Sequence, residues 1–243
     1  MNTPSVIRRS ASGFSLIELA IVLVIIGLLI GGGIVALERT TERERRQSQQ
    51  RQLEEVKSAL MGFAMVQGRL PCPDTSSPPN GREGEGAEPD DSCQDETDPV
   101  RGVLPWADLG VGARDSWGDR ILYALTPEYA DLDQGIGTAG DIEVLDANET
   151  DENGEPLDLA SDVPAVVVSF GGQGQQVWSG GLPCVGLDGF SDQEIENCGG
   201  DAGRYFAGSY RGSDAPDGRF DDMVIWISDG VYKMRMFEAG NFR

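Results

Sequence analysis

The chain has 243 residues, enough for one or two domains with a real core, and sets 19 lysines and arginines against 41 aspartates and glutamates, a formal net charge of -22. That surplus of acid opposes a phosphate backbone and excludes nucleic acid as a partner. Histidine is absent, which removes Ser-His and Cys-His nucleophile pairs, histidine general bases and His-ligated metals together.

The charge is uneven along the chain. Residues 1–57 hold 8 basic and 6 acidic side chains, whereas residues 58–243 hold 11 and 35. From Phe14 to Leu37 the only charge is Glu18, and Leu19 to Leu37 is an uncharged, mostly apolar run. As a helix that run measures about 28 Å, close to the ~30 Å hydrocarbon core of a bilayer. Arg8 and Arg9 before it predict a cytoplasmic N-terminus, a contrast that Arg39, Arg43, Arg45 and Arg46 weaken. A cleaved secretory signal fits less well, because Val35 to Glu38 offers no A-x-A-like site. A plain signal anchor is the stronger alternative. Glu18 is then the anomaly, a carboxylate just inside a spanning helix, and an intramembrane acid points to a partner.

Gly13-Phe14-Ser15-Leu16-Ile17-Glu18-Leu19, followed by the apolar run, resembles the type III signal of type IV pilins and type II secretion pseudopilins. The resemblance implies cleavage by a prepilin peptidase between Gly13 and Phe14 on the cytoplasmic side, and N-methylation of the new terminus at Phe14. It also implies that Glu18 neutralises the terminal amine of a neighbouring subunit during assembly. Glu18 lies four residues beyond that amine, about one helical turn, and pairing two charges in low dielectric favours docking in register. Gly27 and Gly31 add a G-x-x-x-G spacing that lets helices approach closely, a weak signal.

Beyond the apolar run, Glu38 to Gln52 has no proline, glycine or apolar residue and reads as helix without a core face. From Leu53 onward Leu53, Val56, Leu60, Phe63 and Ala64 recur at three- and four-residue steps and predict a stripe that packs on a head domain. One helix from about Phe14 to Val66 is the reading taken, with a break near Gly31 to Gly33 as the alternative. Residues 71–119 read as mostly loop. Strands are predicted at Arg120 to Leu125, Asp141 to Leu145, Ala165 to Phe170, Asp222 to Ser228 and Val231 to Phe237. Asp229-Gly230 joins the last two as a two-residue hairpin turn.

Two head motifs resemble those of pseudopilins and minor pilins: Asp115-Ser116-Trp117-Gly118-Asp119-Arg120 with Tyr123, and Val166-Val167-Val168-Ser169-Phe170-Gly171-Gly172. The reading taken is architectural, with Trp117 as a buried anchor, Asp115 capping a turn and Gly171 to Gly174 changing the chain direction.

Four cysteines, Cys72, Cys93, Cys184 and Cys198, suit an oxidising compartment and two bridges. Of three connectivities, Cys72-Cys93 and Cys184-Cys198 are preferred because each closes a local loop. A four-thiolate zinc site is disfavoured, since no pair has zinc-ligand spacing. Residues 121–203 hold 17 acids and no lysine or arginine. Asp131 to Gly135 and Asp214 to Asp222 have the chemistry for calcium, which some pseudopilins bind, but neither matches an EF-hand loop. A solvated acidic face is the reading taken, with no metal ligands assigned and no other cofactor expected. No G-x-S-x-G, Walker loop or dinucleotide fingerprint is present, so no enzymatic activity is expected.

These features predict an α+β, pilin-like fold: a long N-terminal helix, membrane-spanning in its first half, packed on an antiparallel β-sheet head with long disulfide-bridged loops. The expected divisions are a leader at 1–13, a transmembrane and assembly helix at 14–37, a polar-to-amphipathic stalk at 38–66 and an extracytoplasmic head at 67–243. The expected partners are prepilin peptidase, other pilin or pseudopilin subunits, the inner-membrane assembly machinery and, before assembly, membrane lipid. The function expected is that of a minor subunit of a type IV pilus or pseudopilus. The alternatives are a tip adhesin whose loops 72–98 and 128–162 contact a surface or cargo, and a signal-anchored periplasmic enzyme.

Overall fold

A computed structural model describes residues 15–84, 93, 98–131, 137–179, 189–200, 203–212, 214–216 and 218–241, the side chains of 28–40 excepted. The chain divides into two compact units, Met1–Glu44 and Arg45–Arg243. The first helix, α1, is a single element, Leu16–Gln67. It ends at Gly68, whose φ of +79° is a left-handed value that glycine adopts without steric cost.

The second unit is α+β. In chain order after α1 come β1 (Val100–Val103), α2 (Trp106–Leu109), β2 (Leu122–Leu125), β3 (Ile142–Thr150), β4 (Pro156–Val163), β5 (Ala165–Ser169), α3 (Gly174–Ser179), α4 (Asp192–Gly199), β6 (Arg204–Ala207), β7 (Met223–Ile227) and α5 (Asp229–Glu238). An antiparallel sheet has the order β1-β2-β5-β7. A second sheet, β4-β3-β6, pairs β3 with β4 antiparallel and β3 with β6 parallel. The expected antiparallel sheet is present, and the second, mixed sheet is an addition to it.

Alternation along the strands builds two cores, one on each face of the first sheet. Ile121, Tyr123, Leu125, Ala165, Val167 and Ile227 pack with Leu53, Val56, Leu60 and Ala64, the stripe expected on α1. Leu122, Ala124, Val166 and Val168 instead pack with Ile142, Val144, Val163 and Tyr205 of the second sheet. β5 lies between β2 and β7 with both faces covered, which explains its unbroken apolar run.

Three expectations change. Residues 231–237 are not a strand: α5 occupies Asp229–Glu238, and Asp229-Gly230 forms its first turn rather than a hairpin. Tyr232 and Met236, four apart, bury on one side, and Lys233 pairs with Asp229 at 2.8 Å. The helical period of burial and the helix-forming Lys, Met, Arg and Glu outweigh the Asp-Gly turn signal. Residues 71–119 contain β1 and α2, and residues 128–162 are largely the β3/β4 hairpin rather than loop. The tip of that hairpin closes on itself: Asp151 Oδ1 accepts the backbone N–H groups of Asn153 at 2.8 Å and Glu155 at 2.9 Å.

A disulfide joins Cys72 to Cys93, as expected, across a Cα separation of 5.9 Å. Beside it Glu83 accepts hydrogen bonds from Nη1 and Nη2 of Arg69, at 2.7 and 2.8 Å, and from the backbone N–H of Cys72 at 3.0 Å. Cys198 is buried and also disulfide-bonded. Cys184, its expected partner, lies outside the described residues.

Candidate functional site

In the first unit, Gly13 and Phe14 lie outside the described residues. Glu18 stands in the first turn of α1. Its Oε2 accepts the backbone N–H of Ser15 at 3.4 Å, while Ser15 Oγ accepts the N–H of Ile17 at 3.3 Å. Ser15-Leu16-Ile17-Glu18 thus caps the helix start, where backbone donors have no partner within the helix. Behind this cap Leu16, Ile17, Leu19 and Ile21 to Ile26 are exposed. Full burial of each such side chain is worth about 1.5–3 kcal/mol, so the segment gains most from an apolar surrounding that the described residues do not supply. A Cβ added at Gly27 would touch none of the described residues, so packing among them gives no reason for glycine there. Among the described residues no helix is long and apolar enough to cross a membrane, and the described side chains of the apolar run stop at Gly27.

In the second unit the polar part of α1 meets the head through polar groups. Gln49 is wholly buried and its Oε1 accepts the N–H of Ser116 at 2.7 Å; Gln52 Nε2 donates to the carbonyl of Arg114 at 2.6 Å. Arg46 stacks on Tyr210, 3.9 Å from the ring centroid, and lies 5.8 Å from the Trp117 ring. Trp117 is half-buried, not the buried anchor expected. Asp115 does cap its turn: Oδ1 accepts the N–H groups of Trp117 and Asp119 at 3.0 and 2.9 Å, and Oδ2 accepts Ser169 Oγ at 2.7 Å. Burial pushes the Asp115 carboxyl above its ordinary range, and these hydrogen bonds pull the other way. Gly171 also turns the chain as expected, with φ +55° and the Asp221 carbonyl 2.7 Å from where a Cβ would stand.

Behind Arg46 lies a buried acidic cluster. Glu194, Asp221 and Asp222 each offer an oxygen within 4.8 Å of the others. Arg219 pairs with Asp221, and Arg46 approaches Asp221 at 3.9 Å. Asn197 donates to Asp222 at 2.9 Å, and Glu194 accepts the N–H of Asp221 at 3.0 Å. Asp221 Oδ1 and Asp222 Oδ1 are buried without a hydrogen-bond partner among the described residues. Burial pushes Asp222 well above the usual carboxylate range, against the Asn197 hydrogen bond and with the charges of Glu194 and Asp221 adding to the rise. Burial raises Glu194 as well, opposed by the backbone N–H groups it accepts. Among the described residues these three carboxylates form the one group of three whose oxygens could hold a hard cation, and they are buried rather than part of the solvated face expected of the acidic segments. Asp221 and Asp222 fall in the Asp214 to Asp222 segment singled out from sequence, whereas Asp133 and Gly135 of the other lie outside the described residues. Glu194 was not anticipated. Its signal was the S-x-x-E pattern at Ser191, which forms a capping box at the start of α4.

The family described as the prokaryotic N-terminal methylation motif matches residues 8–34. No curated protein and no solved structure matches the chain. The motif is consistent with a type IV pilin or pseudopilin, a structural subunit rather than an enzyme. It implies processing by a prepilin peptidase, a membrane-anchored N-terminus and assembly with other pilins.

Proposed function

We propose that this protein is a minor subunit of a type IV pilus or type II secretion-like pseudopilus. In this reading prepilin peptidase cuts between Gly13 and Phe14, Phe14 is N-methylated, and residues 14–37 hold the subunit in the inner membrane with its N-terminus cytoplasmic. Residues 38–66 form the stalk and 67–243 the extracytoplasmic head. Glu18 exchanges the backbone N–H it holds in the monomer for the terminal amine of a neighbour. The apolar side chains of the helix then leave lipid for the filament core, through a heterologous contact that repeats without closing. The observation that carries the reading is the match of residues 8–34 to the methylation motif, running into a helix whose apolar side chains from Leu16 to Ile26 are exposed among the described residues. The head of about 177 residues and its long acidic segments support a minor subunit over an abundant shaft subunit.

N-terminal peptide mass spectrometry on protein from its native membrane tests this. A methylated Phe14 terminus is the expected result; a retained Met1, or a cut after the apolar run, would overturn it. Glu18→Gln should leave cleavage intact and lower the assembled fraction, because the amide cannot neutralise an amine.

A further inference from the structure

The head presents a sheet edge that the N-terminal signal does not use. β7 closes the order β1-β2-β5-β7, paired with β5 on one side and with no described strand on the other. Four of its five residues are half-buried, against two of four in β1 at the opposite edge and none in β2 and β5, so this is the more exposed edge of the sheet. Alongside it runs a cavity of about 340 Å³ between the Arg46–Leu53 stretch of α1 and the chain that follows β6. Gln47 and Gln50 stand on one wall and Tyr210 on the other, with Val224 and Ile225 of β7 at the floor.

The chemistry of this slot selects its occupant. An unpaired strand edge offers a row of amides and carbonyls at the spacing of extended backbone. A small molecule matches one or two of them and a helix none, because a helix spends its own backbone groups internally. Another strand matches all of them, with its alternate side chains entering the slot. The lining's one half-buried charged side chain, Arg46, is compensated by its surroundings. Arg46 is stacked on Tyr210 and faces Asp221, Asp222 is buried, and the exposed wall on α1 is two glutamine amides. In a head with 35 acids against 11 bases, a neutral slot is where an uncharged segment meets least repulsion and loses least by desolvation.

We propose that an extended segment of a neighbouring subunit, with uncharged side chains turned towards Gln47 and Gln50, adds to β7 as the fifth strand of this sheet. The proposal rests on the filament-subunit reading. Gln47 and Gln50 belong to the helix that packs beside its neighbours in that reading, so the chain nearest the slot in a filament is a neighbour's.

The test uses the full-length protein in its native host, with a photoreactive benzoylphenylalanine at exposed Gln50 and, separately, at Ile21 in the apolar part of α1. After irradiation of assembled material, cross-linked peptides are mapped by mass spectrometry. The expected result is a link from position 50 to a strand-forming segment of a second subunit. Gln47→Trp, which fills the slot from an exposed position, should lower that yield about tenfold, leave the Ile21 link unchanged and keep the parent melting temperature. Links from position 50 confined to its own chain, to lipid, to a helix or to a secreted protein, with the Ile21 link present, overturn the strand proposal and leave the subunit reading standing. Absence of the Ile21 link as well overturns the subunit reading and the strand proposal with it.

Discussion

Gln49 and Ser116, 67 residues apart, are joined by a 2.7 Å hydrogen bond from the Ser116 backbone to a side chain with no solvent exposure. The stretch of α1 that carries Gln49 has no apolar residue before Leu53. It is held to the head by side-chain oxygens, amides and one stacked guanidinium, whereas the next three turns are held by a hydrophobic stripe.

Truncating Gln49 to Ala removes the acceptor of the half-buried Ser116 N–H. The cost should be about 1 kcal/mol, the low end of the penalty for a donor left without an acceptor, because Ser116 is only partly shielded from water. A lowered midpoint in urea unfolding of the detergent-solubilised chain, with an unchanged m-value, is the expected readout. No loss of stability would mean that water reaches Ser116 and replaces the glutamine.

Leu60 sits in the apolar stripe, wholly buried among the first sheet and α5. Leu60→Ala should destabilise the head by about 2–5 kcal/mol, the range for a leucine cavity in a close-packed core. Comparison with Gln49→Ala ranks the two modes of attachment. The leucine variant should melt at the lower temperature.

The acidic cluster makes stability depend on pH in a definite direction. Asp222 and Glu194 have ordinary values of 3.8 and 4.5, and burial raises both in the folded state. Folded protein therefore holds their protons more tightly than unfolded protein does. Their contribution to stability is fully present below the ordinary values and is lost as pH rises through the raised ones. Asp222→Asn keeps an acceptor for Asn197 and removes the charge. Its stability relative to the parent should improve steadily as pH rises from about 4 towards neutrality. Urea titrations at four or five pH values give this difference directly, and a flat difference would show that Asp222 stays ionised in the fold.

Reduction of the Cys72–Cys93 bridge releases a loop with a sequence separation of 21. Loop-closure entropy sets the loss at roughly 3 kcal/mol. The double variant Cys72→Ser, Cys93→Ser should show a similar drop in melting temperature without reductant, and reductant should lower its melting temperature further only through the bridge at Cys198.

The sequence made the two ends of this architecture readable for different reasons. The N-terminal signal is local: glycine, acid and apolar run sit within 25 residues and need no tertiary information. The stripe at Leu53, Val56, Leu60 and Ala64 was legible because its burial follows a period near 3.6, and the strands β2, β5 and β7 because they are short, nearly unbroken apolar runs. The error at α5 arose because Asp229-Gly230 is a strong hairpin signal by itself. What overrides it is non-local, the burial of Tyr232 against Tyr129 at a ring separation of 5.1 Å. The acidic cluster was only half legible. Asp221 and Asp222 are adjacent in sequence, but Glu194 reaches them from α4, and the arginines near Asp221 lie outside the long stretch that lacks basic residues. Gln49 was hidden by composition, since a polar run reads as solvated whether or not a domain closes over one of its residues.

The β3/β4 tip offers a practical opening. Asp151, Asn153 and Glu155 satisfy one another there, and the side chains of 149–155 are exposed, so the turn contributes nothing to either core. A short epitope or a fluorescent label inserted after Glu152 would leave residues 8–34, the helix and the β7 slot untouched. Microscopy of that tagged chain in living cells would then follow where each copy resides.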